Sequence, residues 1–394
     1  MEIPVEKICN FFKCYDTNVN KLHLNQTAKN FLAPVGFRPS KINLFTYIKI
    51  IPIVCFFHML CFGQVGHIIH YLSNNSFSFF DVADDIAVIL TTETVTYVLI
   101  NITIFTPELD AICKKLGNFQ DPDLGRARGV EALDKLFTKY IYLCILSFVV
   151  TCLITFVFYI TDKCEPDEVS NCGFIFTPYL PYIDIYNRPW RSIVLVCQCL
   201  SSYTGGAIAM CNISQVVFLN EVLILRYSHL ESIVERIPKV KKQERHALVG
   251  RIVRYHDILM DINSKTNNAI GKAYALHLCV TPINMSVIVF QLMSKDMMLS
   301  SMMHFLSYVV VVILTCVSGE RLTTFTEKLH YTIFKSMPFE DVKIAKDMKL
   351  LLVKAQDPLQ VLAGGITSVN HVLMGNIFKT VWSTLTVLNN TRDH

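Results

Sequence analysis

Charge is scarce in this chain of 394 residues. Asp, Glu, Lys and Arg make up 17% of it, against about 25% in an ordinary soluble domain. Length alone would fit two or three soluble domains. The missing charges, however, leave long uncharged stretches, hydrophobic residues reach 52%, and mean hydropathy is +0.40. This composition points to a multi-span membrane protein. It excludes a disordered chain, a collagen and a small disulfide scaffold. The net charge is only +4 and no Lys/Arg block has the density of a nucleic-acid patch, so no nucleic-acid partner is expected.

Other absences narrow the function. The 14 cysteines include no C-x-x-C pair. Cys55, Cys61, Cys144, Cys152, Cys211, Cys279 and Cys316 sit in apolar stretches, where a thiol packs as a small hydrophobe, and no zinc site is readable. The first 41 residues hold no apolar run followed by small residues, so a cleaved signal peptide is not expected and the first span would itself direct insertion. No Ser–His–Asp, P-loop or His-Glu-x-x-His arrangement occurs. His304 has no second His or Cys at helical spacing with which to hold a metal. Neither an enzyme nor a metal or cofactor protein is expected.

What the sequence does contain is a series of apolar segments near the 20 residues a helix needs to cross a bilayer. Seven are counted, over approximately 42–66, 82–106, 138–160, 191–218, 272–293, 299–320 and 358–389. The fold class expected is therefore all-α, a seven-transmembrane helical bundle in one membrane domain. Lys/Arg bias sets the orientation. With the amino terminus in the cytoplasm, the inner segments carry 27 Lys/Arg and the outer ones 5, which places the carboxyl terminus outside. The sequons at Asn74 and Asn389 then face the compartment where glycosylation occurs. Those at Asn101, Asn212 and Asn284 fall within spans. Cys164 and Cys172 share the second outer loop, where a disulfide and two free thiols are both open readings.

The inner segments carry their own pattern. Leu219, Val222, Leu223, Leu230, Ile233 and Ile237 recur at helical spacing, as do Leu248, Ile252, Tyr255, Leu259 and Ile262, with Pro238, Lys239, Lys241 and Lys242 between the two series. Residues 219–270 and 321–357 are expected to form a cytoplasmic helical anchor layer that packs on itself or on other subunits. Helices lying on the inner leaflet are the other reading. The last span is unusually polar: Asn370, His371, Asn376 and Lys379 lie at or near membrane depth, with Ser383, Thr384 and Thr386 beyond. Such a helix should not face lipid all round. It is either the buried centre of a monomeric bundle or the lining of a pore shared by several subunits. The adjacent Gly364 and Gly365 permit a close helix approach or a bend.

The stretches GERLTTFTEKLHYTIFKSMPFEDV (319–342) and KAQDPLQVLAGGITSVNHVLMGNIFKTVWSTLTVL (354–388) resemble the carboxyl-terminal third of insect odorant receptors. The shared pattern is a Gly opening an acidic helix, a Pro-Leu-x-x-x-Ala-Gly segment, an Asn shortly after and a polar final span. Size, span number and inverted topology agree over the whole chain. The resemblance implies a ligand-gated, non-selective cation channel subunit in the plasma membrane of an olfactory neuron. It implies a small volatile organic ligand, a membrane-lipid surround and a heterotetramer with co-receptor subunits. The inner segments leave no room for the co-receptor's extended loop, so a ligand-tuning subunit is expected. The Thr-Tyr-x5-Gln-Phe signature of the related gustatory receptors is missing from the last span. Lys379 departs from the family pattern there. By resemblance, Val387 falls at the pore constriction, and Ser383, Thr391 and neighbouring Asn390 lie about one helical turn away.

The resemblance also implies a ligand pocket in the outer half of spans two, three, four and six. The residues expected there are Ala87, Leu90 and Thr91; Phe148, Thr151 and Thr155; Gln198 and Ser202; and His304, Phe305 and Tyr308. An apolar cavity with a few hydroxyls suits a small volatile. Glu93 in the second span is read as a structurally paired carboxylate, with the lining of a water path as the other reading. A G-protein-coupled receptor fits the span count, but its orientation is opposite and its Asp-Arg-Tyr and Asn-Pro-x-x-Tyr motifs are missing. The odd span number and the lack of an internal repeat count against a transporter.

Overall fold

The computed structural model describes residues 44–73, 79–118, 129–161, 187–292 and 298–392. Six long helices come first: α1 (Leu44–Ser73), α2 (Phe79–Asn118), α3 (Val130–Thr161), α4 (Arg188–Val234), α5 (Lys242–Leu292) and α6 (Met298–Glu327). Two short ones follow, α7 (Leu329–Lys335) and α8 (Val342–Ala355). A two-stranded hairpin, β1 (Leu362–Ala363) and β2 (Thr367–Ser368), then leads into α9 (His371–Arg392). Among the described residues, five stretches are long and apolar enough to cross a membrane: Ile50–Ser73, Asp85–Leu116, Pro189–Lys239, Lys242–Phe290 and Phe305–Lys335.

Two kinds of surface divide the molecule. α1, α3, α4 and α6 present large apolar side chains outward, among them Phe62, Leu143, Leu146, Leu153, Val196 and Leu306. A belt of this extent is foreign to a soluble monomer and suits contact with lipid. Hydroxyls of the apolar spans are satisfied locally. Thr94, Thr103, Thr106, Thr204, Thr281 and Thr315 each donate to the carbonyl one turn back, at 2.6–2.8 Å, as polar groups in hydrocarbon must.

The second region is a conventional core. α4 has 47 residues and α5 has 51, or about 70 and 76 Å of helix, more than twice the hydrocarbon thickness. Their excess length pairs around Pro238. Val222, Leu223, Leu230 and Ile237 of the first limb, and Ile252, Tyr255, Leu259 and Ile262 of the second, are almost wholly buried. α7, α8 and the hairpin complete this core through Ile333, Met348, Leu351 and Val361. Polar ties cross it. Arg226 donates to the Leu116 carbonyl, Arg321 pairs with Glu221 at 3.1 Å, and Asn220 donates to Ser318 at 3.1 Å. At its rim Arg245 meets Glu340 at 2.8 Å. That carboxylate, which also accepts from its own backbone N–H, is held below the usual range. Asp341 caps α8 by accepting from the Ile344 N–H. Asp341→Ala should lower stability by about 1 kcal/mol, measurable as a lower melting temperature of the purified protein.

The stretch 358–370 differs from the helix expected over 358–389. Gly364 and Gly365 both take positive φ, 63° and 76°, which L side chains resist. They turn the chain back on itself, with Ile366 N–H donating to the Ala363 carbonyl at 3.2 Å and Val369 N–H to Val361 at 2.9 Å. Helix α9 begins only at His371, after Asn370 caps it by accepting from Leu373 N–H at 3.0 Å. Neighbouring helices hold the hairpin in place. Asn263 and Asn267 of α5 both donate to the Gln360 carbonyl, and Asn267 accepts from Leu362 N–H. Gly364 N–H donates to the Gly271 carbonyl at 2.7 Å. On the α6 side, Thr326 accepts from Leu359 N–H at 3.0 Å.

Candidate functional site

The positions named from sequence fall on four helices. Ala87, Leu90 and Thr91 are half-buried on α2, Gln198 is buried and Ser202 half-buried on α4, and Phe305 and Tyr308 are half-buried on α6. The side chains of Phe148, Thr151 and Thr155 on α3, and of His304 on α6, lie outside the described residues, as do Cys164, Cys172 and Asn74.

Of these residues, Thr91 and Tyr308 meet. Their hydroxyls are 2.9 Å apart. Asn284, from α5, closes a three-membered ring by donating to Thr91 Oγ1 and to the Tyr308 hydroxyl, each at 3.0 Å. His277, two turns earlier on α5, stacks on the Tyr308 ring with centroids 6.4 Å apart. Three helices distant in sequence are thus pinned at one polar point inside an apolar bundle. Asn284 was visible from sequence only as a sequon within a span. The signal that would have found it is a side-chain amide two residues after Pro282 in an apolar helix, since an amide at membrane depth faces a partner rather than lipid.

Two further polar contacts join α1 and α2. Glu93 pairs with His58 at 3.1 Å, and Asp85, almost fully buried, pairs with His67 at 2.6 Å. Both contacts fasten α1 to α2 through groups that would be costly in lipid alone.

Helix α9 has two faces. Leu373, Met374, Ile377, Phe378, Val381, Thr384, Leu385 and Leu388 are buried or half-buried. This face rests on α5 and α6, and Ser286 of α5 donates to the Val381 carbonyl at 3.3 Å. On the other side Asn376, Lys379, Thr380, Ser383, Thr386, Val387 and Asn390 are exposed, Val387 at 61%. The spacing 376, 379/380, 383, 387, 390 is a single helical stripe. Apart from Val387 these positions are polar, and the exposed Val372 and Trp382 flank them. Asn389 is exposed near its end, and the Thr391 side chain lies outside the described residues. Among the described residues no three His, Cys, Asp or Glu side chains gather as a metal site.

Comparison with known proteins agrees with this architecture. Residues 95–381 match the family model described as 7tm odorant receptor. The fold superposes on the insect olfactory receptor OR5 from Machilis hrabei in complex with eugenol, with a TM-score of 0.75 at 12% identity, covering 94% of this chain and 99% of that one. A second structure of the same receptor gives 0.71 at 12% identity, over 92% and 96%. No curated protein sequence matches the chain.

Proposed function

The chain belongs to the insect odorant receptor family, and from that premise we propose that it is the ligand-tuning subunit of an odorant-gated, non-selective cation channel. The family is non-enzymatic and its members are multi-pass membrane proteins. Our reading adds an amino terminus in the cytoplasm, a carboxyl terminus outside and a plasma-membrane location. The α4–α5 extension with α7 and α8 is then the cytoplasmic anchor layer, and the chain works as a heterotetramer with co-receptor subunits. The ligand is a small volatile, as eugenol is for the Machilis receptor. It is held between α2, α3, α4 and α6 near Thr91 and Tyr308.

The observation that carries this reading is the polar stripe on α9. A face bearing Asn376, Lys379, Thr380 and Ser383 is costly against lipid, and among the described residues none covers it. Water in a shared pore accounts for it. Val387, apolar within that stripe, is then a constriction that closes by dewetting. The route from ligand to gate is short. Asn284 touches Thr91 and Tyr308, and Ser286, two residues along α5, holds the α9 backbone at Val381. A ligand opens the pore to the extent that it binds the open arrangement more tightly.

Whole-cell recording with a co-receptor, under a panel of volatiles, is the test. The expected result is a millisecond current indifferent to G-protein blockade, together with a standing leak in Val387→Ala because a smaller apolar ring wets more readily. Surface-expressed protein that gives only a slow second-messenger response would overturn the reading.

A further inference from the structure

Resting on that reading, we propose that the Thr91–Asn284–Tyr308 ring selects ligands bearing a hydroxyl group, and that Asn284 is the residue that reads it.

The inference comes from counting hydrogens. Asn284 uses both amide hydrogens, one on each hydroxyl of the ring. The two hydroxyls share one hydrogen bond, so one of their two hydrogens is used between them. Among the described residues neither hydroxyl has a further acceptor for the other hydrogen. On the acceptor side, Asn284 Oδ1 is buried with no partner among the described residues, in a residue only 1% exposed. The ring is therefore complete in itself yet holds one unused donor and one unused acceptor. Buried polar groups in folded proteins are rarely left so.

An unused donor beside an unused acceptor is the complement of a hydroxyl, which gives one hydrogen and accepts another. The alcohol or phenol O–H donates to Asn284 Oδ1, and its oxygen accepts the spare hydrogen of Thr91 or Tyr308. A ketone, aldehyde or ether can only accept, and would leave Oδ1 unpaired. An alkane would leave both. Thr91 and Tyr308 are half-buried, so a ligand would meet the ring from the side of its two hydroxyls, with the apolar helices around it holding the rest of the molecule. His277 adds a second unpaired buried atom, Nε2, next to the Tyr308 ring on which it stacks, and extends the polar site along α5. The position of Asn284 on α5 also links selection to gating. The group that senses the hydroxyl sits on the helix that carries α9.

The test uses the chain expressed with a co-receptor and a matched series of equal length: 1-octanol, octanal, methyl heptyl ether and nonane. The half-maximal concentration for 1-octanol is expected to be at least about tenfold below that of the aldehyde and the ether, since a site built for a hydroxyl rejects analogues that lack one. Asn284→Leu should collapse that preference to within about twofold, read as the ratio of half-maximal concentrations within the variant whatever its maximal current. Thr91→Val and Tyr308→Phe provide the same test should Asn284→Leu fail to reach the surface, each weakening 1-octanol selectively. Equal potency across the series, or a uniform loss for every ligand in all three variants, would overturn the proposal. Ligand-induced thermal stabilisation of the purified protein separates this failure from failure of the channel reading. Stabilisation by 1-octanol over octanal without any current keeps the hydroxyl site and rejects the channel. Current without preference keeps the channel and rejects the site.

Discussion

Gly319→Ala is expected to abolish surface expression. Gly319 lies in α6 where the chain passes under the end of the hairpin. A methyl group built there would collide with the Val369 carbonyl oxygen and sit 3.2 Å from its carbon. The obstacle is backbone, not the tip of a flexible side chain. To admit the methyl, α6 and the segment entering α9 must separate by about 1 Å or more. That movement breaks the tie from Leu359 N–H to Thr326 and disturbs the cap at Asn370. Overpacking a close-packed site costs about 1–3 kcal/mol even when side chains can yield. With backbone on both sides the cost belongs at or above the top of that range, a large share of the stability of a typical domain. Gly250→Ala is the control. It is also helical, but a methyl there meets nothing within 4 Å, and it should stabilise by about 0.5–1 kcal/mol through the unfolded chain. Surface labelling of the two variants checks the pair. Equal surface levels would mean that the hairpin does not press on α6.

Lys379→Gln should raise cation conductance, by an amount that reports the number of copies of this chain around the pore. Lys379 is exposed on the same stripe of α9 as Ser383 and Val387. With α9 lining a water-filled path, each ammonium at about 8 Å from the axis repels a monovalent cation by roughly 0.5 kcal/mol at the dielectric of water. One copy changes permeation about twofold. Four would change it about thirtyfold, since about 1.4 kcal/mol is a factor of ten. Single-channel conductance at low and high salt measures the effect, which should shrink as ionic strength rises. An unchanged conductance at low salt would place Lys379 off the conduction path and remove α9 from the lining. On the channel reading proposed above, a cationic side chain on the conduction path would favour few copies of this chain in the assembly.

The helical scaffold is legible in the sequence where periodicity is strong. The two limbs that meet at Pro238 carry apolar residues at every turn, and those residues fill the core. The hairpin at 362–368 is not legible in that way. Its segment reads as the apolar start of a long final helix, because Leu359, Val361, Leu362 and Ala363 also suit a helix. What decides the matter is non-local: Asn263 and Asn267, about a hundred residues earlier, take the hydrogen bonds of Gln360 and Leu362. The two glycines do mark a break, and their positive φ angles determine which kind. The site shows the same division. Thr91 and Tyr308 stand out as hydroxyls in apolar spans. Their meeting through Asn284 depends on how three helices are rotated against one another, and no local pattern in any one of them records that.

The two-faced final helix has a consequence for biogenesis. α9 is not among the stretches apolar enough to cross a membrane by length and composition, and the face it leaves uncovered is polar along most of its length, with Trp382 beside it 72% exposed. On the channel reading, a newly made protomer would meet the bilayer with its last helix poorly matched to lipid until other subunits enclose that face. If the chain works in the assembly proposed above, protomers in excess of their partners would keep that stripe uncovered, and the number of functional receptors would follow the supply of partner subunits rather than the rate at which this chain is made.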